Sequence, residues 1–296
     1  MNWDDAKYFL AVARAGQMLG AATRLGVSQA MLSRRVSSLE AALDCKLFER
    51  STGGCVLTPD GAALMEVALR VEAEFETAKT LVQTSTSSVS GTVRIGAPDG
   101  FGVAFLSPRL HVLTKKYPLL NVQLVPVPRS FSLSQREADI AVMVGRPQTG
   151  RLRARKLTDY SLGLYAAKSY LKKAGMPAQL KELNAHSLVG YVEDLIFSTE
   201  LNYNTEVLGS WESSIEISSA LGQFEAVKAG AGIGVLHDFM AMQNDGLVNL
   251  FPEVSLSRNY WTVWHESMKN TRRISVVAQF LDNLVRMERG YFNRRG

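Results

Sequence analysis

Cysteine is scarce in this 296-residue chain, which has only Cys45 and Cys55. Two thiols are too few for a disulfide framework, and neither has histidine partners at zinc-ligand spacing. A redox pair formed by these two residues stays open, whereas thiol sensing beyond residue 55 is excluded because no later cysteine exists. We expect no metal and no cofactor, since the histidines are also few and scattered. They are His111, His186, His237 and His265.

Long apolar runs are absent as well. No stretch of 18 or more apolar residues occurs, and the opening "MNWDDAKYF" is acidic where a signal peptide would be basic. We therefore expect a cytoplasmic protein with no membrane partner. The net charge of +5 permits a nucleic-acid partner without requiring one.

Sequence motifs typical of enzymes are also missing. The glycines of "GAGIGV", residues 230–235, have the wrong spacing for a dinucleotide loop, and a predicted helix precedes them where a strand should. "SYLK", residues 169–172, matches a serine acyl-enzyme motif whose partner motifs are absent. Without a nucleophile and base set, we expect that the protein is not an enzyme.

A helix-turn-helix pattern is present near the start of the chain. Apolar periodicity predicts helices over residues 3–13 and 18–25, and Ser28 offers an N-cap for a third helix ending near Ala42. The second and third helices lie in "AATRLGVSQAMLSRRVSSLEAAL", residues 21–43, and only a short turn separates them.

The third predicted helix has one apolar face and one face of small residues around an arginine. Small side chains let a helix approach a DNA groove closely, and arginine can donate to guanine or to phosphate. The alternative is a solvated face that happens to carry two arginines, Arg34 and Arg35. The apolar face is Leu32, Val36 and Leu39, and the opposite face is Ala30, Ser33, Arg34 and Ser37.

A predicted hairpin follows in "CKLFERSTGGCVLTPDG", residues 45–61. Residues 51–54 form its tip and residues 55–57 its return strand, which makes the helix-turn-helix a winged one. Arg50 and the hydroxyl groups near the tip would then contact phosphates beside the groove.

A long helix is predicted after Thr58, which is a favourable N-cap, and Pro59. Its apolar residues recur at steps of four and three over about three heptads, as in a coiled coil. The alternative is that this stripe packs on its own domain. The stripe is Leu64, Ala68, Val71, Phe75, Ala78 and Val82, and the polar "TSTSSVSG" that follows, residues 84–91, is a predicted linker.

These motifs resemble those of the LysR-type transcriptional regulators over the whole chain: "LxVSQ", "SRxxxxLE", "LFxR" and "LTxxG" occur in order, followed by the strand "GTVRIGAP". The resemblance implies a winged helix-turn-helix at 1–58, a dimerisation helix and hinge at 59–91 and an effector-binding domain at 92–296. The implied DNA-binding residues are Gln29, Ser33, Arg34, Arg35, Arg50 and Thr58.

Two residues depart from the family pattern. Ala30 replaces a common proline, which leaves the helix intact because alanine is the better helix former. Asp44 replaces a common glycine and removes an easy left-handed turn before the hairpin.

The C-terminal two thirds predict an α/β fold. "GTVRIGAP", "LLNVQLVPVP" and "READIAVMVG" are short apolar strands, with the helix "LSPRLHVLTKKYP" between the first two. The resemblance implies two lobes like those of periplasmic binding proteins, joined by crossover strands, with the effector in the cleft. The lobes would comprise about 92–161 with 265–296, and 162–264.

Ligands of open α/β sheets bind beyond the carboxyl ends of the strands. Two arginines among the residues that this rule selects favour an anionic effector such as a carboxylate. The alternative is that Arg129 and Arg146 are surface or lobe-bridging charges. The candidates are Asp99, Phe101, Arg129, Ser130 and Arg146, with Tyr203 and Gln223 from the other lobe.

The sequence thus predicts a DNA-binding transcriptional regulator that responds to a small-molecule effector. Expected partners are double-stranded DNA, the effector, further copies of the chain in a dimer or tetramer, and RNA polymerase. The alternative is a repressor that binds DNA without responding to an effector. A solute-binding protein or an enzyme built on the α/β part is disfavoured by the missing export signal and catalytic set.

Overall fold

The computed structural model describes residues 3–51, 54–83, 89–127, 137–147, 150–196 and 198–292. Among the described residues the chain forms two compact units: the first comprises the residues up to 83 together with Glu137 and His265–Arg272, and the second comprises the rest. We call the first the DNA-binding unit and the second the sensor unit, after the roles that the sequence resemblance predicts for them.

The DNA-binding unit is the predicted winged helix-turn-helix. Gly26 ends the second helix with a φ of 67°, and Ser28 begins the third because its Oγ accepts the Met31 N–H at 3.2 Å. Its elements are α1 (Trp3–Ala15), α2 (Met18–Leu25), α3 (Gln29–Leu43), β1 (Phe48–Ser51), β2 (Gly54–Leu57) and α4 (Pro59–Gln83).

One apolar core holds these elements together. Leu32, Val36 and Leu39 are fully buried, so α3 packs with the face that the periodicity predicted. The rings of Phe9 on α1 and Phe48 on β1 lie 5.2 Å apart and connect the hairpin to the helices. The opposite face of α3 is therefore left at the surface.

The sensor unit is built on a mixed sheet. Among the described residues the strand order is β4-β3-β5-β11-β6-β9-β7-β8, with β10 paired to β6. Its strands are β3 (Gly91–Ala97), β4 (Leu120–Pro126), β5 (Ile140–Val144), β6 (Leu152–Ala167), β7 (Leu188–Gly190), β8 (Ile215–Glu216), β9 (Ile233–His237), β10 (Leu247–Asn249) and β11 (Leu256–His265). Its helices are α5 (Leu110–Lys116), α6 (Lys168–Ala174), α7 (Tyr203–Val207), α8 (Ala220–Lys228), α9 (Asp238–Ala241) and α10 (Arg272–Met287).

Strand β6 connects the two halves of this sheet. It has 16 residues, and its C-terminal part pairs antiparallel with β9 and β10, while its other neighbour in the sheet is β11. On the far side of β11, β3 pairs in parallel with both β4 and β5. The segment before β9 is a helix-to-strand turn, as predicted from its glycines.

Asp44 ends α3 in a left-handed conformation, with a φ of 51°. It is the one residue other than glycine with positive φ in the described part of the chain. Aspartate tolerates this region better than most residues, yet its Cβ still crowds the following carbonyl. The fold thus keeps the turn that a glycine would make more easily.

We predict that Asp44→Gly raises the free energy of unfolding of the DNA-binding unit by about 0.5–1 kcal/mol, because it removes that crowding. Urea unfolding followed by helical circular dichroism measures the change. Asp44→Ala is the matched control, since it removes the carboxylate and keeps the Cβ. Equal stability of the two variants would contradict this explanation.

Candidate DNA interface and effector site

The exposed face of α3 presents the predicted DNA-reading residues. Gln29, Ala30 and Arg34 are exposed, and Ser33 is half-buried. The Arg34 side chain makes no hydrogen bond or ion pair with any residue that the structure describes. Its guanidinium is therefore available to a partner from outside.

Arg35 has a different environment from its neighbour. Its Nη1 lies 3.2 Å from Oδ1 of Asp5 on α1, and the guanidinium lies 6.0 Å from the centre of the Tyr8 ring. Arg35 thus fixes α3 against α1. Of the two adjacent arginines, Arg34 has no partner within the described residues, whereas Arg35 is engaged through Nη1 and remains 45% exposed.

A buried carboxylate joins α3 to the hairpin. The Glu40 side chain is 4% exposed, and its Oε1 accepts the backbone N–H groups of Leu47 at 2.9 Å and Phe48 at 3.4 Å. Its Oε2 lies 3.6 Å from Nζ of Lys46 and 3.6 Å from Nη2 of Arg50. A carboxylate with this many donors is well satisfied on burial. Sequence analysis quoted Glu40 within a family motif and missed its role.

Arg50 lies where α3 and the hairpin meet. Besides facing Glu40, its Nη1 donates to Oγ of Ser33 at 3.3 Å. Two residues predicted separately as DNA contacts are therefore direct neighbours. The Arg50 side chain is still 40% exposed, which leaves guanidinium donors for a phosphate.

Thr58 is engaged within the protein. Its hydroxyl donates to the Lys46 carbonyl at 2.6 Å and accepts the Gly61 N–H at 3.0 Å, which caps α4. A hydroxyl has one proton, and a phosphate oxygen can only accept. In this arrangement Thr58 has no proton to donate to DNA, so its predicted DNA contact gives way to a capping role.

The predicted dimerisation stripe on α4 divides into two parts. Leu64 and Ala68 pack into the core of the DNA-binding unit itself, as the alternative interpretation expected. Val71 and Phe75 are 36% and 56% exposed. Ala78 and Val82 lie outside the residues whose side chains the structure describes.

In the sensor unit, Asp99 follows β3 and is 8% exposed. Its Oδ2 accepts a short hydrogen bond from the Ser219 hydroxyl and another from the Leu221 N–H at 3.2 Å. Because these donors lie at the start of α8, the carboxylate occupies the favourable end of the helix dipole. The loop after β3 is thus tied to α8 through a residue that the sequence selected and one, Ser219, that it missed.

The buried side chains of His237, Tyr191 and Tyr203 lie near Asp99, and an aromatic stack extends from His237. The His237 ring stacks on Tyr160 at 5.1 Å, and Tyr160 stacks on Tyr260 at 4.2 Å. Burial lowers the pKa of His237 to about 4, against the opposing charge of Asp99, so the imidazole is neutral at pH 7. Sequence analysis missed the three members of this stack because they lie within strands, outside any motif.

Two buried tyrosine hydroxyls in this region each face another tyrosine hydroxyl without a well-formed hydrogen bond. They are the hydroxyls of Tyr203 and Tyr260, which face those of Tyr191 and Tyr160. Buried polar groups are nearly always paired. Tyr203, a predicted effector residue, therefore has an incompletely satisfied hydrogen-bonding group near Asp99.

Two other predicted effector residues, Phe101 and Gln223, are buried within the protein. Phe101 is fully buried, with its ring 4.9 Å from that of Tyr260 and 5.2 Å from that of Phe105, so it belongs to the core. Gln223 is 1% exposed and donates to the Ile217 carbonyl at 2.8 Å, which holds the segment before α8. Both side chains therefore have a structural role in this arrangement.

Of the two arginines that suggested an anionic effector, the structure describes only Arg146. Arg146 is exposed, and its guanidinium lies 5.6 Å from the centre of the Trp261 ring. That position agrees with the alternative interpretation of a surface charge. Arg129 and Ser130 lie outside the described residues.

The surroundings of Cys45 are not those of a reactive thiol. Both cysteines are half-buried against the core of the DNA-binding unit. Burial, together with the carboxylates of Asp60, Glu40 and Asp44, raises the pKa of the Cys45 thiol, which disfavours the reactive thiolate.

Neither a metal site nor a membrane-spanning helix is present among the described residues. Within the described ranges, no group of three or more His, Cys, Asp or Glu side chains could hold a metal ion. No helix in that part of the chain is long and apolar enough to cross a membrane.

Comparison with family models and known proteins assigns the chain. Residues 3–62 match the bacterial regulatory helix-turn-helix protein of the lysR family, and residues 86–286 match the LysR substrate binding domain. The HTH-type transcriptional activator TtdR of Escherichia coli is 28% identical over 94% of this chain and 91% of its own length. The helix-turn-helix and the α/β part thus correspond to the two domains of one family.

Solved structures show the same architecture. CrgA from Neisseria meningitidis, a LysR-type transcriptional regulator, is 25% identical with a TM-score of 0.59 and covers 96% of this chain and 98% of its own. OxyR from Pseudomonas aeruginosa has a TM-score of 0.71 at 23% identity, covers 95% and 98% of the two chains, and confirms the fold. The chain belongs to the LysR family of transcriptional regulators.

Proposed function

We propose that this regulator reads DNA with Gln29 and Arg34 on α3, holds the DNA backbone with Arg50, and responds to a small molecule bound beside Asp99. The observation that carries the DNA proposal is the contrast between two adjacent arginines. Arg35 is paired with Asp5, whereas Arg34 is exposed and makes no ion pair in the described structure. A helix held firmly on one face can present the other to a groove.

The exposed residue types suit direct readout. Glutamine can form two hydrogen bonds with adenine, and arginine can form two with guanine, in the major groove. Ala30 lies beside Gln29 and is small enough for close approach. Arg50, at the junction of α3 and the hairpin, is placed to contact phosphate and set the orientation of α3 without reading bases.

We predict different losses for Arg34→Ala and Arg50→Ala. Arg34→Ala should weaken binding to an operator selected from random DNA by about 1–3 kcal/mol and affect random DNA much less. Arg50→Ala should weaken both about equally and lower the salt dependence by about one phosphate contact.

Fluorescence anisotropy on both DNAs at several salt concentrations measures these losses. Arg70→Ala, on an exposed part of α4, is the control for loss of one positive charge. Equal losses on operator and random DNA for Arg34→Ala would remove its base-reading role.

We also propose that α4 pairs with α4 of a second copy through its exposed apolar part. Val71 and Phe75 support this, because large exposed apolar side chains on one helix favour burial against another. Two paired DNA-binding units would contact two half-sites of an operator.

For the effector, the sensor unit favours a ligand with hydrogen-bond donors. The buried charge beside α8 is the Asp99 carboxylate, and it already occupies the helix start where an acidic ligand would bind. The neutral His237 and the incompletely satisfied Tyr203 hydroxyl add polarity without positive charge. A cationic or amide group on the effector would complement Asp99.

We predict that amines and amides stabilise the full-length protein more than the matching acids do. Benzylamine, benzamide and benzoate form one such set for thermal unfolding, and a ligand at 100 times its Kd should add about 2.7 kcal/mol. Asp99→Asn should remove the preference for the amine. Stabilisation by acids alone, with the same size in Asp99→Asn, would contradict the role of Asp99. If no metabolite in a wider set raised the thermal stability, the result would favour the effector-independent repressor.

A further inference from the structure

A recess of about 380 Å³ lies between the N-terminal part of β6 and the C-terminal end of α10. This volume is within the range of small-molecule pockets. The recess shares no residue with the surroundings of Asp99. Its lining is Arg155, Lys156, Leu157, Thr158, Asp159, Asp282, Val285, Arg286 and Arg289.

Both carboxylates of this recess already have cationic partners. Asp282, whose side chain is 12% exposed, pairs with Arg155 on β6. Asp159 lies 2.7 Å from Nζ of Lys156. Arg286 also lies close enough to Asp282 to oppose the rise that burial causes in the pKa of this carboxyl, so Asp282 faces two cations.

Two arginines in the recess form no direct ion pair. Arg286 and Arg289 are exposed, and their side chains make no hydrogen bond or ion pair with the described residues. They are near the end of α10 and shortly after it, so both charges come from one wall. The recess therefore has two more positive than negative charges.

The recess also has an apolar part. Leu157 is half-buried. Val285, on the buried face of α10, is 3% exposed. Ligand sites typically combine such apolar contact with a few charged groups that fix orientation. A cluster of charges that faces only solvent would lack such buried apolar side chains.

We propose that this recess is a second ligand site, which binds a small dianion with an apolar body. The two negative charges, on two carboxylates or one phosphate ester, pair with Arg286 and Arg289, and the body rests on Leu157 and Val285. Guanidinium groups bind both anions through paired hydrogen bonds. A concave pocket with two excess charges suits a small molecule better than the DNA backbone, which requires a long basic surface.

Isothermal titration calorimetry of the full-length protein with phthalate and phenyl phosphate tests the proposal and distinguishes the two anion types. Benzoate, with one charge, should bind at least about tenfold more weakly than the better dianion. Arg286→Gln/Arg289→Gln should weaken that dianion by about tenfold or more. The control Lys172→Gln/Lys173→Gln removes two exposed charges from α6 and should stay within about twofold of the unaltered protein.

Three results would overturn the proposal. The first is that neither dianion binds at millimolar concentration. The second is that the double arginine variant still binds the dianion, which would place the binding site elsewhere. The third is a loss of random-DNA affinity in that variant with no loss of dianion affinity, which would assign the arginines to phosphates of DNA. Asp99→Asn should leave dianion binding unchanged, so failure here is distinguishable from failure of the effector site.

Discussion

The DNA-binding unit depends on the buried carboxylate of Glu40. One oxygen accepts the backbone N–H groups of Leu47 and Phe48, and the other faces Lys46 and Arg50. The first pair of contacts fixes where the hairpin begins relative to α3. The second brings a cation to the edge of the DNA-facing surface. Because a buried carboxylate is costly when a partner is lost, these contacts restrict the hairpin to one position.

Asp99 has a comparable role in the sensor unit. It too is a largely buried carboxylate that joins a loop to a helix, through the Ser219 hydroxyl and the Leu221 N–H. Glu40 faces cations, whereas Asp99 lies near tyrosines and a neutral imidazole. A ligand that supplies hydrogen-bond donors would therefore change the environment of Asp99 directly, and with it the contact between the β3 loop and α8.

The helices and the hairpin were predictable from the sequence because local signals determine them. Helical periodicity placed Leu32 and Val36 in the core, and caps such as Ser28 marked the helix ends. The roles of Arg35 and Gln223 were not predictable, because each depends on a partner from another element, Asp5 or Ile217.

The effector site illustrates the limit of such prediction. The rule about strand ends selected Asp99, which follows β3 and contacts the start of α8, but it also selected Phe101, whose side chain turns into the aromatic core. Direction of a side chain depends on the packing around it, here on the seven-residue π-helical turn Gly100–Leu106. Tyr160 and His237 lie within strands and have no local signature, so only their packing identifies them.

A double-mutant cycle between Glu40 and Arg50, with operator affinity as the readout, tests the central claim most directly. Glu40→Gln keeps an acceptor for the Leu47 N–H and removes the charge that faces Arg50. If the carboxylate positions Arg50 for DNA, Arg50→Ala will cost clearly less in the Glu40→Gln background, with a coupling of about 0.5–2 kcal/mol. Strictly additive losses would show that Arg50 contacts DNA independently of Glu40 and would contradict the account.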